Sequence, residues 1–292
     1  MNTTESPARG LGPVVVGTDG SEQATRAVLW AADEAVARDR PLTVLHATGV
    51  EHAGHLPFDG SRSVLGGARE ILDDAMARVS QRHPDADART WLSRDGATRS
   101  LVEAAGGDGT LVVGSRGRGG FSALLLGSVG LRTAARARGP VVVVRGAREM
   151  PPRGTVTAAV RDDGDLSALR HAAWTARAHG ASLKVTSVWM FLQNVGSMAT
   201  MFDDLGGIAE AEAEATARMV EPVREEFPEL TVAVETVKAS SAAGALIEAA
   251  GDSDLLVVGA RRAAHAPGFP LGHVTHAVLH HAPCPVAVVP RG

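Results

Sequence analysis

Glycines at 114, 117, 119 and 120, followed by the pair Gly127-Ser128, are the residues of this chain whose type and spacing could do chemistry. They fall in one stretch, residues 110–145, reading TLVVGSRGRGGFSALLLGSVGLRTAARARGPVVVVR. An apolar run from Leu111 to Val113 stops at Gly114, a glycine loop follows, a helical run opens at 127–128, and Pro140 leads into four valines. The order is strand, glycine loop, helix, strand. Glycines at a strand's C-terminal end permit positive φ and let a ligand approach where a Cβ would collide. Ser128 stands where a helix N-cap belongs, and the free N–H groups of such a terminus bind anions. An exposed anion there gains about 0.3–1 kcal/mol from the helix dipole, and up to ~2 kcal/mol when partly buried. A single glycine would read as a tight turn beside an ordinary cap. Four glycines before a Gly-Ser helix start point to phosphate instead.

Other polar groups can join this loop. Arg116 and Arg118 flank Gly117, with Ser115 just before them, and guanidinium forks match phosphate geometry. Either arginine could as well stand in solvent on a mobile loop. Asp19 lies in Gly17-Thr18-Asp19-Gly20-Ser21, directly after the first apolar run. It can cap the next helix, as Ser21 can, or accept hydrogen bonds from ribose hydroxyls or an adenine amino group.

Several chemistries are disfavoured. No Gly-Lys-Ser/Thr follows the glycines, and no G-x-G-x-x-G follows the first strand, so neither a P-loop nor a dinucleotide fingerprint is present. No Ser-His-Asp set sits in a nucleophile-elbow context. His273, His276 and His280 recur at i, i+3 and i+7, with His281 adjacent. Imidazoles on one helical face can bind a metal. No acidic or cysteine partner accompanies them on that helix, and a surface or interface stripe is the commoner use, so no metal site is expected. With 3% aromatics, no tyrosine and a net charge of −4, neither base-stacking platforms nor a basic field argues for nucleic acid or an anionic membrane. The single cysteine, Cys284, cannot form an internal disulfide and reads as a buried thiol in a cytoplasmic protein. The first twelve residues are polar and contain Glu5, unlike a signal peptide, and no apolar run approaches a membrane span.

The elements that must carry these residues come twice. In the first half, apolar strands are predicted over 13–16, Leu42–Ala47, 86–92 (Ala86, Ala88, Thr90 and Leu92 on one face), 111–113 and Val141–Val144. Helices are expected after Ser21, over 64–79, over Ala97–Ala105 and from 128, with residues 55–62 as loop. Strands alternating with helices predict a mainly parallel five-stranded sheet covered on both faces. The second half repeats the plan: a shift of 145 brings Gly114 onto Gly259, Gly127 onto Gly272 and the valines 141–144 onto 286–289. Such a period means two tandem α/β domains rather than a solenoid. The expected division is a disordered tail 1–12, a first domain 13–147, a charged, proline-containing linker 148–154 and a second domain 155–292.

The spacing Gly114-x2-Gly117-x9-Gly127-Ser128, the Gly-Thr-Asp-Gly-Ser turn and the final run of valines resemble the universal stress protein family, here as a tandem pair. The resemblance implies a Rossmann-like, adenine-nucleotide-binding sheet with ATP, together with magnesium, across the ends of strands one and four. Carried over by position, Gly17, Thr18 and Asp19 would face the adenosine, and Ala47 would pack near adenine. Gly114 and Gly117 would meet ribose and phosphates, within the loop that also holds Ser115, Arg116, Arg118, Gly119 and Gly120. Gly127, Ser128 and Val129 would hold phosphate oxygens. Gly130 departs from the Ser or Thr usual in the family. In the second half Gly17 becomes Arg161, Gly117 becomes Arg262 and Ser128 becomes His273, so that motif is degenerate.

The function this implies is a cytoplasmic, ATP-binding stress or signalling module, not an enzyme beyond weak hydrolysis. The alternatives are a slow ATP hydrolase, or a partner-binding protein with vestigial sites. The expected partners are adenine nucleotide and a second copy of the chain. The two domains are expected to pair as a pseudo-dimer through their valine-rich last strands, which would cover two exposed sheet edges.

Overall fold

The computed structural model describes residues 11–50, 58–118, 126–145, 152–189, 205–260 and 271–291. The chain divides into two compact units, Met1–Arg148 and Glu149–Gly292. In unit 1 the order is β1 (Val14–Gly17), α1 (Glu22–Ala37), β2 (Leu42–Ala47), α2 (Phe58–Arg82), β3 (Ala88–Ser93), α3 (Ala97–Ala105), β4 (Thr110–Gly114), α4 (Ser128–Arg136) and β5 (Val141–Val144). The strands lie in the order β3-β2-β1-β4-β5, each parallel to its neighbours. β1 is therefore central, and the chain reverses its direction of progress across the sheet between β1 and β4. That reversal opens a crevice at the carboxyl ends of these two strands.

Short valine-rich runs form the middle of this sheet because both of its faces are covered. Val14, Val15, Val16, Val112 and Val141–Val143 are all buried. α1 lies on the sheet through Ala24, Ala27, Val28, Ala31, Ala32 and Ala35. Ser21 starts it, its Oγ accepting the N–H of Ala24 at 3.2 Å. At its other end Glu34 and Arg38, both buried, form an i,i+4 ion pair, and Arg38 Nη1 donates to Thr110 Oγ1 at 3.1 Å. A buried cation is tolerated there because both partners are within the same helix turn and β4 supplies a further acceptor.

Three expectations change. The region expected as loop over 55–62 is helical from Phe58 onward, so α2 is longer at both ends than 64–79. β3 begins at Ala88 rather than Ala86, and Thr90 and Trp91 are exposed. As the outermost strand in the order, it has little burial on either face to impose alternation. Residues 1–10 of the expected tail lie outside the described residues, but Gly12 is already anchored. Its N–H donates to the Asp108 carbonyl at 3.1 Å, and a Cβ there would come within 2.6 Å of that oxygen.

Unit 2 runs β6 (Thr155–Val160), α5 (Leu166–Ala178), β7 (Ser182–Trp189), α6 (Leu205–Glu226), β8 (Val232–Lys238), α7 (Ala242–Ala249), β9 (Leu255–Ala260), α8 (His273–His281) and β10 (Val286–Pro290). Its strands are parallel in the order β10-β9-β6-β7-β8. The Asp254 carboxylate accepts the N–H groups of Arg153, Gly154 and Thr155 at 2.7, 2.7 and 3.1 Å, which fixes the entry to β6. Cys284 is buried before β10, and that burial pushes its thiol pKa up to about 12. At pH 8 a thiol of that acidity is ionised to roughly one part in ten thousand. Alkylation by iodoacetamide at pH 8 is therefore expected only on unfolding, and prompt labelling of the native protein would contradict this burial. Among the described residues no helix is long and apolar enough to cross a membrane.

Candidate functional site

At the carboxyl ends of β1 and β4 lies a cleft of about 380 Å³. Its floor is set by the sheet: Thr18 N–H donates to the Leu45 carbonyl at 2.9 Å, and Ser115 N–H to the Val144 carbonyl at 2.9 Å. Gly17, Thr18, Asp19, Ala47, Gly114, Arg116, Gly117, Gly127, Ser128 and Val129 all border it. Ser115 and Arg118 do not line it, and Gly119 and Gly120 lie outside the described residues.

The glycines of the motif serve the protein itself in ways their spacing does not reveal. A Cβ on Gly114 would approach the Gln23 carbonyl oxygen to 2.9 Å, because the first turn of α1 packs against the end of β4. A Cβ on Gly117 would overlap Asp19 Oδ2. Gly20 has φ +74°, the left-handed region that side chains disfavour.

Asp19 joins the two halves of the site. Its Oδ2 accepts the N–H of Arg118 at 2.7 Å and its Oδ1 the N–H of Ser21 at 3.0 Å. Ser21, not Asp19, caps α1. Burial pushes the Asp19 carboxyl up. The hydrogen bonds from Ser21 and the Arg118 N–H, with the Arg118 guanidinium, outweigh it and hold the group below its ordinary value. With its folded-state pKa depressed, the stability it contributes is complete above the usual carboxylate range. That stability is lost only as pH falls through the lowered value. Arg118 Nη2 turns back to the Gly20 carbonyl at 3.4 Å instead of entering the cleft.

The expected cap at Ser128 is corrected. Gly127 is the N-cap of α4, with extended backbone and no side-chain hydrogen bond, and Ser128 is the first helical residue. With no side-chain oxygen competing at the cap, the first-turn N–H groups of α4 face the cleft without intrahelical acceptors. Leu45, His46, Ala97 and Leu101 also border the cleft and were missed. Leu101 Cδ1 would lie 3.2 Å from a Cβ on Gly17. The available signal for these residues was His46, a polar break in the apolar run of β2, one position before Ala47. The walls are mostly apolar at this end, while the N-terminus of α4 and Arg116 border the other.

At the corresponding place in unit 2, two charged side chains crowd the last glycine of β9. A Cβ on Gly259 would overlap Asp165 Oδ1 and lie 3.1 Å from Arg291 Cγ. Arg291 Nε pairs with Asp165 Oδ1 at 2.9 Å, its Nη2 pairs with Asp162, and both Arg291 and Asp165 are buried there, with side chains 6% exposed. The second Asp165 oxygen accepts the Arg161 N–H at 2.9 Å. The Arg161 side chain, at the position that matches Gly17, is exposed and pairs with Asp162 at 3.2 Å. Arg261 and Arg262 lie outside the described residues. In α8 the His276 and His280 rings are 4.3 Å apart, centroid to centroid, and among the described residues no group of three His, Cys, Asp or Glu is placed to hold a metal.

Fold and cleft define a pair of doubly wound α/β domains, the first with a cleft at its topological switch point. A model of the universal stress protein family matches residues 11–145 and again 153–290, and the chain belongs to that family as a tandem pair. A universal stress protein of Mycobacterium tuberculosis is 37% identical over 133 residues, an alignment spanning 46% of this chain and 45% of that protein, about half of each. One of Mycolicibacterium smegmatis is 27% identical over 293 aligned positions, covering 94% of this chain and 96% of its own. The crystal structure of a universal stress protein from Archaeoglobus fulgidus matches with a TM-score of 0.70 at 18% identity, over 98% of this chain and 99% of that one, a likeness of fold.

Proposed function

We propose that unit 1 binds one adenine nucleotide, ATP carried with magnesium, and that the chain acts as a cytoplasmic nucleotide-dependent stress or signalling module. The observation that carries this is the cleft itself, apolar at the β2 and α3 end and lined by glycine and helix amides at the α4 end. Its volume falls within the roughly 300–1,000 Å³ of small-molecule sites. A base fits against Ala47, Ala97 and Leu101, a ribose within reach of Asp19, and phosphates on the N–H groups of Ser128, Val129 and Gly130 with Arg116 beside them. Magnesium would enter on the triphosphate, since Asp19 is already engaged by Arg118 and Ser21.

Hydrolysis is not the function in this reading. Phosphoryl transfer wants a positioned water, a protein-held metal and cationic clamps, and among the described residues Arg116 is the lysine or arginine that borders the cleft. Calorimetric titration of nucleotide-stripped protein with magnesium ATP is expected to give one site per chain, with turnover below the ~1 per second that begins the usual enzyme range. No saturable binding, two equal sites, or turnover within that range would each overturn the proposal.

A further inference from the structure

His46 borders the cleft at the next-to-last position of β2, beside Ala47 and near Ala97 and Leu101, and the reading above gives it no role. Its Nδ1 lies 2.7 Å from the Thr18 carbonyl oxygen. A carbonyl can only accept, so Nδ1 carries the proton, and in the neutral ring Nε2 is an acceptor. The anchor is firm, because the Thr18 N–H is itself bonded to the Leu45 carbonyl of β2 at 2.9 Å. Ring orientation and tautomer are thus set before any ligand arrives.

We infer that His46 reads the base. Its Nε2 accepts a hydrogen bond from the exocyclic amino group of a 6-aminopurine and so selects adenine over guanine and hypoxanthine nucleotides. This rests on the nucleotide reading of the cleft. The helix amides of α4 claim the phosphates, which leaves the base at the far end, against Ala47 and His46. At position 6 of the purine, adenine offers N–H donors, whereas guanine and hypoxanthine offer a carbonyl oxygen. A fixed acceptor bonds the first and opposes the second lone pair to lone pair, and an acceptor enclosed without a donor is costly.

The test pairs a ligand change with a residue change. Wild type and His46→Asn are titrated with ATP, GTP and purine riboside triphosphate, which carries only hydrogen at position 6. Asparagine can keep an N–H near the Nδ1 position while removing Nε2. Wild type is expected to prefer ATP over both others by about 10-fold or more, and the variant to lose that preference. A side chain that merely packs would weaken all three alike. Equal wild-type affinity for ATP and purine riboside triphosphate overturns the inference without any variant, as does a preference that survives in His46→Asn. If none of the three binds wild type, the nucleotide reading itself fails, and this inference with it.

Discussion

Gly117→Arg abolishes saturable ATP binding while the chain stays folded: this is the first expected result. The exchange copies the residue that stands at the matching place in the second half, Arg262. Even the first atom of the new side chain is excluded, since a Cβ at 117 overlaps Asp19 Oδ2, the oxygen that accepts the Arg118 N–H at 2.7 Å. The loop must move off Asp19, and the long side chain stands on a residue that borders the cleft. Both changes act on ligand contacts rather than on the core, because Gly117 is exposed and lies beyond the end of β4. Each charge-assisted hydrogen bond lost to a phosphate costs about 1.5–3 kcal/mol. Two such losses, about 3–6 kcal/mol, move a micromolar site, worth about −8 kcal/mol, to somewhere between roughly 0.2 mM and tens of millimolar. Calorimetry on stripped protein decides it, with circular dichroism as the control for folding. Wild-type affinity in Gly117→Arg would mean that the nucleotide, if bound, does not use this loop.

The same residue shows what the sequence can and cannot say. Strand, glycine loop and helix were legible because their signals are local: valines in a row, glycines at a strand end, Gly-Ser before a helical run. The destination of each missing Cβ was not. Gly114 yields space to the Gln23 carbonyl and Gly117 to Asp19, contacts that depend on how α1 and the loop meet across the sheet. The cap was misplaced by one residue because Gly127 and Ser128 are both acceptable N-caps, and only the backbone angles at 127 distinguish them. The start of α2 was missed because Phe58 to Arg62 carries no apolar periodicity of its own. His46 was visible as a break in an apolar strand, but its bond to Thr18 crosses 28 positions of sequence. In the second half, Arg291, which lies against Gly259, was not among the residues singled out. Arg291 acts on Asp162 across 129 positions, and nothing in the local pattern of the chain end announces it.

The Arg291–Asp165 pair carries the other large expected effect, in stability. Arg291 and Asp165 are buried together, and Asp165 also accepts the Arg161 N–H, so the carboxylate is held at the mouth between β6 and β9 with the guanidinium as its counter-charge. Arg291→Ala leaves Asp165 enclosed without that partner. Breaking one side of a buried pair costs about 3–5 kcal/mol, far more than the net worth of an exposed pair. Unit 2 should therefore lose about 3–5 kcal/mol in urea unfolding. Faster hydrogen exchange should appear first in β6 and β9, because Asp165 follows β6 and the Arg291 side chain, itself just past β10, lies against Gly259 at the end of β9. Arg291→Met combined with Asp165→Asn removes both charges while keeping bulk, and should recover most of the loss, because neither charge is then stranded. Reach matters as well as charge: the guanidinium lies 2.9 Å from Asp165 at Nε while its Nη2 pairs with Asp162, and a compact lysine ammonium cannot stay close to both carboxylates in the same way. Arg291→Lys is accordingly expected to fall between wild type and alanine. Unchanged exchange in β6 and β9 of Arg291→Ala would show that the pair, though buried, does not hold the end of this sheet closed.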